Sequence, residues 1–235
     1  MSQKTAWIPE LGEIVLSKRR GSKNLRLSIA ADGRIRVGMP TWVPYAAGIS
    51  FAKSRSDWVN QHRKTHKKHV LADKARIGKS YRLNYVFDDT AAKTRTRIAG
   101  QNINIISNLT LETLSVQAAA VKASEKALKL EASRLLPPRL QSLADKYGYS
   151  YSRVIIKKMV SRWGSCSSQK LITLNYFLTQ LPWDFIDYVL VHELVHTKHL
   201  NHSPAFWAEF EKAYPQAKQT RQKMKQFRPV INSII

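Results

Sequence analysis

The stretch that most constrains this chain is a helix-forming segment carrying the motif His192-Glu193-Leu194-Val195-His196. Pro182 suits the first turn of a helix, and Asp184 complements the positive end of its dipole. Between these signals and the motif runs an apolar stripe with helical spacing, formed by Phe185, Ile186, Val189 and Leu190. The pattern predicts a core helix, which would hold the polar side chains of the motif rigidly.

The spacing of this motif suits a metal site. Residues four apart lie on one face of a helix, so the imidazoles of His192 and His196 can reach the same ion. Glu193 lies roughly 100° around the helix from His192, where a carboxylate can take a proton from a water that the metal activates. The structural alternative is a core helix that carries two hydrogen-bonded histidines.

A zinc hydrolase needs a third protein ligand, and His199 and His202 are the nearest candidates. On a continuing helix His199 would lie about 10 Å along the axis from His192, too far to share one ion with it. His202 can return toward the motif if the chain turns at Asn201, because asparagine tolerates the left-handed conformation. Ser203-Pro204 then predicts the start of a new helix.

Three blocks of this region carry a family resemblance: RWGSC at 162–166, the H-E-x-x-H helix, and NHSPAFW at 201–207. With them the chain closely resembles the YgjP-like metal-dependent hydrolases, which belong with the SprT-like and WLM zincin-type metallopeptidases; residues 21–40 resemble the family's N-terminal strands more loosely. The resemblance implies a zincin-like fold and one catalytic divalent metal, zinc above all. It also implies His192, His196 and His202 as ligands and Glu193 as general base. A nucleoside-triphosphate pyrophosphatase label travels with the same family.

Other polar residues are candidates for lesser roles. An oxyanion stabiliser is expected, and Arg162, Tyr151 and Tyr176 can supply it. Arg162 can equally bind an anionic substrate group. The single cysteine, Cys166, is interpreted as a small buried residue beside the cleft and not as a nucleophile. A second histidine series is interpreted as a solvated basic helix end: His62, His66 and His69.

Changes in periodicity divide the chain into two parts and predict an α+β fold. Alternating short strands dominate residues 12–107, and a helical catalytic part spans 111–235. The predicted division is a strand-rich basic region over 1–110 and a zincin-like domain over 111–235, or one continuous domain. Pro137-Pro138 predicts a break between helices over 114–136 and 139–147, and residues 161–169 are predicted as a loop.

The chain is strongly basic, with a formal net charge of +23. Residues 1–110 carry 21 lysines and arginines against 7 acidic residues, and residues 111–235 carry 18 against 9, so both parts attract polyanions. The N-terminal residues do not form a signal peptide, no stretch is predicted to span a membrane, and one cysteine excludes an internal disulfide. We therefore expect a cytoplasmic enzyme.

The predicted activity is zinc-dependent peptide hydrolysis, with a peptide or protein as substrate. The alternatives are hydrolysis of a nucleoside triphosphate such as UTP at the same metal, and a protease that its basic surface recruits to nucleic acid. No organic cofactor is predicted, and the oligomeric state stays open.

Overall fold

A computed structural model describes residues 3–29, 35–65 and 70–227, with the backbone alone for 61–65. The fold is mixed α+β, as predicted, and the chain forms two compact units, residues 1–69 and 70–235. Among the described residues, no helix is both long enough and apolar enough to cross a membrane. His66 and His69 of the second histidine series lie outside the described residues, as does the side chain of His62.

The first unit is a four-stranded sheet with two helices. Its sheet has the order β1-β2-β4-β3, in which β2 and β4 are parallel and both outer pairs are antiparallel. The inward side chains of the central strands are fully buried, among them Leu16 and Val37. Gly48 lets the first helix approach this face closely, since a Cβ there would lie 2.6 Å from Leu16. The elements are β1 (Gln3–Ile8), β2 (Gly12–Arg19), β3 (Arg26–Ile29), β4 (Ile35–Pro40), α1 (Tyr45–Lys53) and α2 (Ser56–Thr65).

The second unit begins with another four-stranded sheet, of order β5-β6-β8-β7. Again the central strands are parallel and the outer pairs antiparallel. Leu83 and Ile103 face each other across the central pair and share one hydrophobic core with the helices that follow in the chain. The strands are β5 (Arg76–Ile77), β6 (Tyr81–Phe87), β7 (Arg95–Ala99) and β8 (Asn102–Ser107). The structure therefore divides the chain near residue 70, whereas the sequence favours a division near 110.

One long helix, α3 (Leu114–Tyr147), follows this sheet and packs against β7, β8 and elements of the C-terminal part. The break predicted at Pro137-Pro138 is wrong, because the helix continues through both prolines. Fully buried Leu136 and Leu140 flank them, so tertiary packing outweighs the lost backbone hydrogen bonds.

Glu131 anchors α3 to the second sheet. The residue is 1% exposed, and its carboxylate accepts hydrogen bonds from the backbone N–H groups of Lys79 (2.8 Å) and Ser80 (2.6 Å). The turn before β6 also needs Gly78, which has φ +68° and leaves no room for a Cβ beside the carboxylate. This buried bracket joins the strands to the helix that supports the site.

The C-terminal part, residues 153–224, consists of a small sheet, a 3₁₀ helix and three further helices. The sheet has the order β10-β11-β9, with β9 parallel and β10 antiparallel to β11. Strand β10 lies within residues 161–169, where a loop is predicted, so that prediction is wrong in part. The elements are β9 (Arg153–Lys157), β10 (Gly164–Cys166), β11 (Leu171–Asn175), a 3₁₀ helix (Tyr176–Gln180), α4 (Trp183–Val195), α5 (Pro204–Ala213) and α6 (Ala217–Met224).

Candidate metal centre and cleft

Three histidines converge at the C-terminal end of α4. One nitrogen from each of His192, His196 and His202 lies within 4.8 Å of the others. The Nε2 atoms of His192 and His202 are 3.1 Å apart. Two imidazoles sharing a tetrahedral zinc ion would place their nitrogens about 3.4 Å apart. The donor set and its spacing therefore fit a single divalent metal ion.

The turn after α4 brings His202 back to the helix. Helix α4 ends at Val195, with His196 as its C-cap, earlier than a helix continuing to His199 would end. The side chain of Asn201 accepts a hydrogen bond from the N–H of Ser203 (3.3 Å), and Ser203 caps α5 by accepting from the N–H of Phe206 (3.4 Å). These local hydrogen bonds place His202 over the end of the preceding helix.

The backbone carbonyl of His199, and not its side chain, contacts one of the candidate ligands. The Nδ1 of His196 lies 2.8 Å from the carbonyl oxygen of His199, and an N–H there would donate to it. This leaves Nε2 of His196 for a metal, because a hydrogen bond at one ring nitrogen selects the tautomer. His199 is outside the nitrogen cluster, but the reason is the turn and not the length of a continuing helix.

Aromatic side chains of α5 pack against all three imidazoles. Phe206 is fully buried, and its ring centre lies 5.0 Å from that of His192, 4.6 Å from His196 and 4.8 Å from His202. Trp207 stacks on His202 at 5.7 Å. The block NHSPAFW therefore supplies both a candidate ligand and the packing that holds it.

Burial shifts the pKa values of the charged groups in this centre. Burial lowers the pKa of His192 to about 3, helped by the nearby His196 and His202, so the imidazole is neutral at pH 7 and able to bind a metal. Burial raises the pKa of Glu193 to about 8, although the charge of Arg162 works against that shift. Among the described residues, Oε2 of Glu193 and Nδ1 of His192 have no hydrogen-bond partner.

Gly164 of β10 forms the wall beside Glu193. A Cβ at Gly164 would lie 2.5 Å from Oε1 of Glu193 and 2.7 Å from its Cγ. Only a glycine allows strand and helix to approach this closely, which gives the RWGSC block a physical role. Sequence alone does not connect the two residues, because the contact joins elements far apart in the chain.

Asn175 holds the segment that leads into β10, and sequence reasoning missed it. Its side-chain amide donates to the carbonyl oxygens of Met159 (2.7 Å) and Arg162 (2.8 Å), and its backbone N–H donates to Trp163 (2.9 Å). The residue is fully buried. The only hint in the sequence is an asparagine at the end of a mostly apolar strand.

The cleft around the histidines has a volume of about 640 Å³. Arg162 and Cys166 line it, as does Tyr188, which the sequence did not single out. The two tyrosine candidates lie elsewhere. Tyr176 donates its hydroxyl to Glu125 (3.1 Å), Tyr151 donates to Gln141 (2.8 Å), and neither is among the residues lining the cleft.

Comparisons with known proteins identify the family of this chain. No curated protein matches the sequence. The solved structure of the metallopeptidase zymogen of Pyrococcus abyssi abylysin is similar, with 28% identity, 41% of this chain and 100% of that chain covered, and a TM-score of 0.37. That of Methanocaldococcus jannaschii jannalysin has 21% identity, 39% and 94% coverage, and a TM-score of 0.35. The family described as YgjP-like, metallopeptidase domain matches residues 23–227, most of the chain, so the chain belongs to this family of metal-dependent hydrolases.

Proposed function

We propose that this protein is a zinc-dependent peptidase in which His192, His196 and His202 hold the ion and Glu193 is the general base. The observation that carries the proposal is the convergence of three imidazole nitrogens within 4.8 Å, next in the chain to Glu193, a residue that is 4% exposed. A bound zinc ion would acidify a water and polarise the carbonyl of the substrate.

The donor chemistry favours zinc and a peptide over magnesium and a nucleotide. Imidazole suits zinc, whereas magnesium prefers oxygen ligands together with substrate phosphates. Within the described part of the chain, the only group of side chains arranged for a metal is the histidine set, and it contains no carboxylate. Hydrolysis of UTP rests on the label that travels with the family and on the basic charge, and recruitment to nucleic acid rests on the charge alone.

Glu193 is placed to move a proton. Its position in the motif puts it beside the ligands, and Gly164 fixes one side of its carboxylate. The other oxygen, Oε2, has no partner among the described residues. With a pKa of about 8 the carboxyl is mostly protonated at pH 7 without a metal, and the charge of a bound zinc ion would favour the carboxylate. The carboxylate could then accept a proton from water and return it to the leaving amine. Removing the carboxylate while keeping its shape should therefore abolish activity without removing the metal.

The edge strand β10 offers a binding mode for an extended peptide. It pairs with β11 along one edge, and its residues Gly164, Ser165 and Cys166 line the cleft. No other described strand pairs with β10. A peptide added to this free edge would make backbone hydrogen bonds next to the histidines.

The test is metal content and peptidase activity in four proteins: wild type, His202→Ala, His199→Ala and Glu193→Gln. We expect His202→Ala to lose zinc and Glu193→Gln to keep zinc without activity. His199→Ala is the matched control and should keep zinc, because its contribution is a backbone carbonyl. Loss of zinc in His199→Ala with retention in His202→Ala would overturn the ligand assignment. UTP hydrolysis without cleavage of any peptide would overturn the peptidase.

A further inference from the structure

We propose that Arg221 and Lys225 form an anion subsite that selects peptides with an acidic side chain close to the cleaved bond. This inference rests on the proposed peptidase function and names the class of its substrate. It begins from the charge of the cleft. The cationic side chains that line the cleft are Arg162, Arg221 and Lys225, whereas the one acidic lining residue, Glu193, is buried against β10.

Arg221 is held in place beside the candidate metal. Its guanidinium carbon lies 4.6 Å from the centre of the Trp207 ring. That ring in turn lies 5.7 Å from His202 and 6.4 Å from His192. Stacking on an aromatic ring fixes the plane of a guanidinium and leaves its N–H groups free to bind a carboxylate. The guanidinium of Arg221 therefore contacts a ring that itself stacks on His202, and this contact orders it before a substrate binds.

Arg221 lines the same cleft as Tyr188 and the three candidate ligands. An anionic group of a substrate at this position would lie in the field of the guanidinium with a favourable sign.

No acidic residue among those described neutralises this wall of the cleft. The ion pairs near the catalytic part join other residues: Arg139–Asp187, Lys158–Glu125 and Lys198–Glu209. Arg162 also lines the cleft, but Arg221 differs from it in being stacked on the Trp207 ring. None of these ion pairs occupies Arg221 or Lys225, so both cations are available to a substrate.

The chemistry of recognition points to a carboxylate within a peptide. An arginine stacked on tryptophan presents two parallel donors, which match the two oxygens of a carboxylate. The neighbouring free edge of β10 suits an extended backbone, and a lysine at the end of α6 adds a second, less directional charge. The subsite therefore discriminates glutamate or aspartate from their uncharged amides.

The experiment compares peptides that differ only by Glu or Gln at each position around the cleaved bond. For wild type we expect kcat/KM to favour the Glu peptide by about ten-fold or more at one position, since hydrogen bonds to charged groups are the stronger kind. Arg221→Gln should bring the ratio close to one, and Arg221→Lys should restore part of it. Lys223→Gln removes the same charge from α6 outside the cleft lining and should leave the ratio unchanged.

A binding measurement separates this inference from the proposed function. Fluorescence anisotropy of the same labelled peptides with Glu193→Gln reports recognition without cleavage, and the Glu peptide should bind more tightly. If wild type cleaves no peptide, the peptidase proposal fails and this binding ratio alone decides the inference. Equal binding of both peptides, or a ratio that survives Arg221→Gln, overturns it. Arg221-dependent binding of UTP without any preference for the Glu peptide would also overturn it and assign the subsite to nucleotides.

Discussion

The two four-stranded sheets share their strand order and strand directions but serve different parts of the molecule. The sheet β1-β2-β4-β3 encloses a core of its own, in which Leu16 packs against α1. The sheet β5-β6-β8-β7 shares its core with α3 and α4, the helix that carries the metal motif. The same topology therefore occurs once in a separate unit and once in the unit that carries the candidate metal centre.

The largest effects should come from matched leucine truncations in the two sheets. Leu83→Ala and Leu16→Ala each remove a fully buried side chain from a central strand, which costs about 2–5 kcal/mol in unfolding free energy. We expect Leu83→Ala to weaken zinc retention and Leu16→Ala to leave it intact. Denaturant unfolding and zinc content measure both. Equal loss of zinc in the two variants would show that the two sheets unfold as one cooperative unit.

The buried bracket at Glu131 sharpens the comparison further. Glu131→Ala leaves the N–H groups of Lys79 and Ser80 without their acceptor, which should cost about 1–3 kcal/mol per unsatisfied group. We expect the loss only in the transition of the second unit. Exposed Glu112→Ala is the control and should change the free energy of unfolding by about 0.5 kcal/mol or less. No change in Glu131→Ala would deny that the bracket supports the catalytic part.

A pair of glycines separates damage to the site from damage to the fold. Gly164→Ala forces the carboxylate of Glu193 to move, whereas Gly48→Ala meets the flexible end of Leu16 in the first unit. Overpacking costs about 1–3 kcal/mol in each unit. We expect Gly164→Ala to lose activity while keeping zinc, and Gly48→Ala to keep activity. The contrast breaks down if Gly48→Ala proves as inactive as Gly164→Ala.

The smallest effect concerns the single cysteine, which reports on the cleft of the second unit alone. Burial raises the pKa of Cys166 to about 11, and Glu193 adds to the shift. The thiol form is therefore dominant at pH 8, where about one molecule in a thousand carries the reactive thiolate. Alkylation should be slow there and accelerate about ten-fold per pH unit toward pH 11. Leu83→Ala should speed alkylation at pH 8, and Leu16→Ala should not. Fast alkylation of the wild type at pH 8 would contradict the raised pKa of this half-buried thiol.

The helices that the sequence predicts correctly are those with local signals, such as apolar periodicity or an N-cap residue. The helix of His192 and His196 follows from apolar periodicity, and the start of α5 follows from Ser203 as N-cap, which the structure confirms. The ligand roles of His192 and His196 remain predictions. The rest depends on contacts between distant elements. Pro137 stays helical because of its tertiary packing, and β10 is too short for an alternating pattern to reveal it.

The repeated sheet topology shows the same limit. No internal repeat is visible in the sequence, because β2 reads GEIVLSKR whereas β6 reads YRLNYVF. Strand order depends on which backbones pair, and many apolar sequences satisfy one pairing pattern. The position of Tyr188 in the cleft was equally hidden, since it lies on the apolar helix as another core residue would.

A single ring, Phe206, lies against all three imidazoles of the candidate metal centre. In evolutionary terms, the shared ring couples metal affinity to ligand geometry, so a substitution there cannot change one without the other. A substitution at Phe206 would tilt three ligands together, so metal affinity and ligand geometry would change in one step. Gradual retuning of this centre would have to come from the residues around Phe206, such as Phe210, which contacts His192 without being shared by the other two ligands.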